Sequence, residues 1–263
     1  MYWVAAKLQC GLGNRLFQLA AADKASKLWN IPLVFAMPYC TPSEHGDYET
    51  IFKMFPFLER IWKAEPLLSI NQTRVFEETL FPSEPPAQTI LLNGFWQAHT
   101  FVLDSFKPTW TEDVELLERW HLRSDEQQAK TAFLHVRLGD YKILPHHQVN
   151  LLAYFVRCMS MFPDDTRFLI FSDSLDEVKT YSIFSDICVF VEEDSEYSAI
   201  YLMSRCGAGA ITANSTFSWW GAFFARQQTK SSTFQAYMPD TWLAKASEST
   251  HMIYPPWATI ISV

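Results

Sequence analysis

Several features missing from this sequence narrow its reading before any motif is considered. No run reaches the ~18 apolar residues of a membrane span, and no basic n-region leads into a long apolar stretch, so the expectation is a soluble, cytoplasmic chain. Its cysteines, Cys10, Cys40, Cys158, Cys188 and Cys206, are odd in number and include no Cys-x-x-Cys pair, which argues against a zinc site or disulfide framework and for reduced thiols. Positive charge is also scarce. A formal charge of −8 and a pI near 5.4 exclude a general nucleic-acid or anionic-membrane surface, so any phosphate ligand is expected to be held locally. Internal repeats are absent, and the sequons Asn71-Gln-Thr73 and Asn214-Ser-Thr216 read as chance matches.

What is present is core. Hydrophobic residues make up 49% of 263 residues, with 21 Phe and 10 Trp, against 19% charged. That composition packs, and the length suits either one large α/β domain or two lobes; two are preferred. The expected division is 1–125 for an N-terminal lobe, 126–240 for a C-terminal lobe, and a 241–263 tail folding back across the lobes, with the polar Arg123 to Lys130 stretch as the boundary.

In the first lobe Tyr2 to Leu8 predicts a strand, Gly11-Leu12-Gly13 a turn, and Leu16 to Trp29 a helix. The glycines permit φ > 0 or close approach to a ligand, and Asn14 stands beside them. A helix start there offers N–H groups to an anion or sugar hydroxyl, although a purely structural βα turn stays open. A dehydrogenase is disfavoured because Leu16 replaces the third small residue of a dinucleotide fingerprint and Ala36-Met37-Pro38 ends the second strand without an acid. That strand, Ile31 to Ala36, leads into a loop through Asp47. Residues 49–63 predict helical turns broken at Pro56, residues 89–95 a strand, and residues 101–120 a mainly helical stretch. Gly94-Phe95-Trp96-Gln97 places aromatic faces beside an amide, a combination that suits an acceptor sugar or an ordinary core.

The second lobe alternates strand and helix: strands at 131–136, 167–171, 187–191 and 208–212, with helices at 151–162, 175–181, 195–206 and after Asn214. This pattern implies a parallel sheet with right-handed crossovers. Its first strand ends in His135-Val136-Arg137-Leu138-Gly139-Asp140-Tyr141, where ligands bind in open α/β sheets and where a guanidinium grips phosphate oxygens as a fork. A local Arg137–Asp140 ion pair closing a turn is the competing reading. His146-His147, adjacent in sequence, splay apart and read as a solvated loop.

Three segments together resemble glycosyltransferase family 11, the α-1,2-fucosyltransferases: Gly11-Leu12-Gly13-Asn14-Arg15-Leu16-Phe17-Gln18; His135 to Tyr141; and Tyr201-Leu202-Met203-Ser204 with Asn214-Ser215-Thr216-Phe217-Ser218-Trp219-Trp220-Gly221-Ala222. Gly94 to Gln97 and Phe171-Ser172-Asp173 are minor signatures. The resemblance implies two Rossmann-like lobes facing across a cleft, the GT-B type. It implies inverting transfer of L-fucose from a GDP-fucose donor to a hydroxyl of a glycan acceptor, with no cofactor and no metal. It places Arg137, Asp140 and His135 in catalysis. Gly11, Gly13, Asn14, Arg137, Asp173, Asn214, Ser215, Thr216 and Ser218 are implied at the donor, and Trp96 and Gln97 at the acceptor. The chain has no Asp-x-Asp for a metal–diphosphate, so Arg137 is expected to supply the cation. General-base candidates are Asp140 first, then His135, Asp173 and His146. The chain departs from the pattern at Leu138, where the family carries a second arginine, which leaves open another nucleotide-sugar donor or a silent carbohydrate- or nucleotide-binding module. The resemblance is to bacterial or viral members.

Overall fold

A computed structural model describes residues 2–40, 48–63, 67–78, 80–184, 186–193, 195–229, 233–245 and 249–263. The loop expected through Asp47 falls, over 41–47, outside the described residues. The chain divides into two compact α/β units, Met1–Trp110 with Glu248–Pro255 and Thr111–Ser247 with Pro256–Val263.

The first unit is built on β1 (Val4–Ala6), α1 (Leu12–Trp29), β2 (Val34–Ala36), α2 (Glu49–Met54), β3 (Glu59–Ile61), β4 (Leu67–Asn71) and β5 (Thr89–Asn93). Strands β1, β5 and β4 form one parallel sheet and β2–β3 another, joined by a parallel bridge between Val4 and Leu33. α1 is buried along most of its length and ends where Asn30 adopts φ 53° and its N–H bonds the Ser26 carbonyl, a left-handed cap that asparagine tolerates. The helix begins at Leu12, four residues before the expected start. Gly11 is its N-cap at φ −74° and Gly13 lies inside it, so neither glycine supplies positive φ; Cys10 does, at 63°. Two strands, β3 and β4, stand where no strand was expected.

The second unit contains α3 (Val114–Arg119), α4 (Asp125–Ala129), β6 (Thr131–Val136), α5 (Leu152–Met159), β7 (Arg167–Ser172), α6 (Leu175–Val178), β8 (Cys188–Phe190), α7 (Glu196–Met203), β9 (Gly209–Ile211), α8 (Thr216–Gln228), β10 (Gln235–Pro239) and β11 (Thr259–Ile261). Its six strands are all parallel, in the order β8-β7-β6-β9-β10-β11. Counted from β6 this is 3-2-1-4-5-6, the doubly wound order whose strand sequence reverses between the first and fourth strands. Every residue of β6 is buried, as a central parallel strand covered on both faces requires.

The helix expected over 101–120 shrinks to α3. The Asp113 carboxylate caps it by accepting from the Leu116 N–H at 3.0 Å, and Pro108 upstream has no N–H to give a helix. The division between units falls at Trp110–Thr111 and not in the polar stretch near 125. The intervening residues are fastened to the second unit: Tyr201 Oη meets the Asp113 N–H at 3.3 Å, Trp120 Nε1 donates to Glu193 at 2.7 Å, and Arg167 donates to the Trp120 carbonyl at 2.7 Å.

Candidate functional site

The carboxyl ends of β6 and β9 flank the point where the strand order reverses, so their exits define a crevice at the sheet's edge. Arg137 leaves β6 there. Its Nη2 donates to Asp140 Oδ1 at 2.6 Å, and its Nη1 lies 3.0 Å from Asp173 Oδ2 at the exit of β7. Asp173 also accepts from the Leu138 N–H at 2.9 Å. The three side chains remain about a quarter exposed, 26%, 27% and 25% for Arg137, Asp140 and Asp173, so a ligand can reach the fork. Gly139 is fixed by close approach: a Cβ on it would lie 2.3 Å from Asp173 Oδ2. The Arg137–Asp140 ion pair of the competing reading is present, and it holds the guanidinium without burying it.

One cation and two carboxylates leave a negative excess, so an anion at Arg137 needs further positive potential. The N-terminus of α8, which follows β9, offers it through the helix dipole. Ser215 is its N-cap, its hydroxyl accepting from the Phe217 N–H at 3.3 Å. Thr216 opens the helix half-buried, whereas Ser218 is fully buried with its hydroxyl on the Ser215 carbonyl at 3.2 Å. Ser218 therefore shapes the turn and is withdrawn as a donor contact. Asn214, 2% exposed, spends its amide on the His147 carbonyl at 3.2 Å and the Trp242 carbonyl at 3.0 Å. It too is a brace at the crevice rather than a hand for the donor.

His135 sits behind this edge on β6, 4% exposed, 5.7 Å from the Phe217 ring, with Nδ1 unbonded. Burial pushes its pKa down to about 4, with Asp173 opposing the shift and Arg137 adding to it. At 4% exposure the imidazole is shut off from an acceptor hydroxyl, which argues against His135 as the general base. Tyr141 completes the local group. Arg137 Cζ lies 5.5 Å from its ring, burial pushes its phenol up to about 12, and the protonated hydroxyl donates to the Asn214 carbonyl at 3.1 Å.

In the first unit Asn14 stands in the first turn of α1, its Oδ1 accepting from Gln97 Nε2 at 2.6 Å. Trp96 is fully buried, edge-on to Phe101 at 5.2 Å, with its backbone N–H donating to Gln72 Oε1 at 2.6 Å and φ at 57°. It presents no face to a sugar, so the acceptor role expected of Trp96 is corrected to a core role; Gln97, 7% exposed, is engaged by Asn14.

Residues 75–259 match Glycosyl transferase family 11. The chain belongs to this family. Over 253 residues it is 27% identical to an alpha-1,2-colitosyltransferase of Escherichia coli, covering 84% of this chain and 87% of that protein. A second relative, the Escherichia coli O-antigen biosynthesis glycosyltransferase WbnK, is 32% identical over 133 residues, 47% of this chain and 42% of that protein. The fold is shared with NodZ alpha-1,6-fucosyltransferase co-crystallised with GDP, at a TM-score of 0.52 and 15% identity, covering 84% of this chain and 92% of that one.

In this family 11 glycosyltransferase two side chains without an expected role, Tyr141 and His147, lie together beside Arg137. Tyr141 ends the motif, and the sequence places His147 in a solvated loop. His147 instead stacks flat on Tyr141, rings 4.3 Å apart at 9°. A local sequence signal for this pairing does not exist, because the contacts that hold it reach Asn214 and Trp242 far along the chain. Leu138, in place of the second arginine, packs inward against the core and helps line a cleft of about 210 Å³ with Arg137, Val149, Asn150 and Tyr181. No helix among the described residues is long and apolar enough to cross a membrane, and among the same residues no three His, Cys, Asp or Glu side chains gather as a metal site.

Proposed function

We propose that this glycosyltransferase moves L-fucose from GDP-fucose to a glycan hydroxyl, inverting the anomeric carbon, making an α-1,2 linkage and using no metal. The observation that carries the reading is Arg137, held by two carboxylates at the strand-order reversal beside the N-terminus of α8. The name of the NodZ neighbour, a fucosyltransferase crystallised with GDP, supports the donor, and the colitosyltransferase relative supports the linkage. In the reaction the acceptor oxygen bonds to the anomeric carbon while the bond from that carbon to the β-phosphate oxygen breaks. The electron pair leaves with GDP, where Arg137 and the first turn of α8 stabilise the growing charge, an effect commonly worth about 3 kcal/mol of barrier. The acceptor proton passes to a carboxylate, and Asp140 is the one assigned.

A panel of GDP, GDP-fucose, UDP and NAD in thermal melts, with and without EDTA, tests the donor, since a bound ligand raises the melting temperature by mass action. GDP and GDP-fucose are expected to shift it equally in both buffers; a shift with UDP or NAD alone overturns the reading. A second donor deserves the same panel. Leu138 and the colitosyltransferase relative favour testing a colitose nucleotide beside GDP-fucose, and faster turnover with colitose would replace fucose as the transferred sugar.

A further inference from the structure

The exits of β6 and β9 are tied by groups that the chemistry above does not use. Tyr141 lies flat on His147, its hydroxyl donates to the Asn214 carbonyl, and the Asn214 amide donates back to the His147 carbonyl, which closes a ring of contacts. The same amide reaches the Trp242 carbonyl beyond β10, and the Ala244 N–H donates to the His146 carbonyl at 2.8 Å. The loop from Ile143 to Val149 is thus fastened to the exits of both β9 and β10. Arg137 lies against the Tyr141 ring that forms one wall of this ring of contacts.

We propose that the Tyr141–His147 stack is a clasp across the strand-order reversal, and that His147 is a positioning residue that fixes the Arg137 guanidinium through Tyr141. The proposal rests on the donor-phosphate reading of Arg137. Three features carry it. The stack is face to face at short range, so moving His147 moves the Tyr141 ring that Arg137 packs on. The hydroxyl of the same tyrosine and the amide of Asn214 fasten the partner strand, so one displacement loosens both sides of the crevice. His147 Nδ1 is buried and unbonded, and burial pushes the imidazole pKa down to about 4, next to His146, Asp140 and Arg137. A neutral ring is what a stack near a guanidinium requires, and a ring nitrogen left bare costs stability without serving the stack. An apolar ring of similar outline should therefore do the same work.

The test compares His147→Ala, His147→Phe and Arg137→Ala by calorimetric GDP binding, by kcat and KM with GDP-fucose, and by melting temperature. His147→Ala is expected to weaken GDP binding and to lower kcat/KM, each about tenfold, while His147→Phe returns both to within about twofold of the parent. Failure of the phenylalanine to rescue overturns the proposal, because the imidazole nitrogen would then touch the ligand itself. Unchanged GDP affinity in folded His147→Ala protein also overturns it. If His147→Ala does not fold, Tyr141→Phe replaces it: loss of the hydroxyl bond to Asn214 should weaken GDP severalfold, and unaltered binding overturns the clasp. Arg137→Ala separates the two layers of argument. GDP binding at parental strength in that variant removes the donor-site reading, whereas lost binding there with intact binding in His147→Ala removes only the clasp.

Discussion

Each unit places an arginine between its first strand and the body of the helix that follows, and the two have opposite fates. Arg137 follows β6 directly, ahead of the short 3₁₀ turn Gly139–Lys142, a quarter exposed and bracketed by Asp140 and Asp173. Arg15 follows β1 inside the first turn of α1, fully buried, with Cζ 4.2 Å from the Tyr48 ring; that tyrosine donates to the Leu8 carbonyl at 3.1 Å and stacks on Phe52. Neighbouring glycines and a strand exit are common to both. The difference lies in what the helix does. Because α1 starts at Leu12 and includes Arg15, that arginine is turned into the packing; because α5 begins only at Leu152, Arg137 stays on the rim. A guanidinium on the rim acts on ligands, and one under a helix acts on stability.

Four experiments can break or sharpen that contrast. The largest effect is expected for Arg137→Ala, which should lower kcat about a thousandfold, as for a lost charge-stabilising donor, while the melting temperature stays within a few degrees; near-normal turnover would end the phosphate-gripping role. Arg15→Ala should behave in reverse, with a loss on the order of 3 kcal/mol in urea unfolding, since an unfilled buried site and a lost cation–π contact add. A loss below about 0.5 kcal/mol, the range of surface substitutions, would show that Arg15 is not structural. Next comes pH. His135 has a folded pKa of about 4 against an ordinary 6.5, so as pH falls between those values the unfolded chain takes up the proton first and stability drops. Denaturant melts at pH 7 and pH 4.5 should show this decline, smaller in His135→Gln, and an identical slope in the variant would contradict it. The smallest effect is expected for Gln97→Ala, about 1 kcal/mol from the lost bond to Asn14, read from the same melts.

The second unit was far more legible than the first. Thr131–Val136 and Arg167–Ser172 are continuous apolar runs of strand length, so both appeared in the sequence nearly residue for residue. Strands β3 and β4 did not, because they are partly exposed and their Glu59, Arg60, Ser69 and Asn71 carry no apolar run. The start of α1 was not legible because two glycines read as a turn, although Gly11, extended at φ −74° and ψ 169°, is its N-cap and Gly13 lies inside the helix. At the site, Arg137, Asp140 and Asp173 were legible as residue types at strand exits. The duties of Asn214 and Trp96 were not. They depend on partners separated by 67 residues for Asn214–His147 and by 24 for Trp96–Gln72, which no local spacing encodes.

The way the units share the chain has a consequence for biosynthesis. Glu248–Pro255 belongs to the first unit and Pro256–Val263 to the second, where Thr259–Ile261 pairs with β10. Emerging N-terminus first, the first unit cannot be completed until nearly all of the second has been synthesised. The first unit must wait incomplete while β6 to β10 of the second are synthesised, so long-range closure and not local helix formation should limit folding. Severing the chain at the apparent boundary would give two incomplete pieces, and a nascent chain stalled before residue 248 is the species on which chaperones would be expected to act.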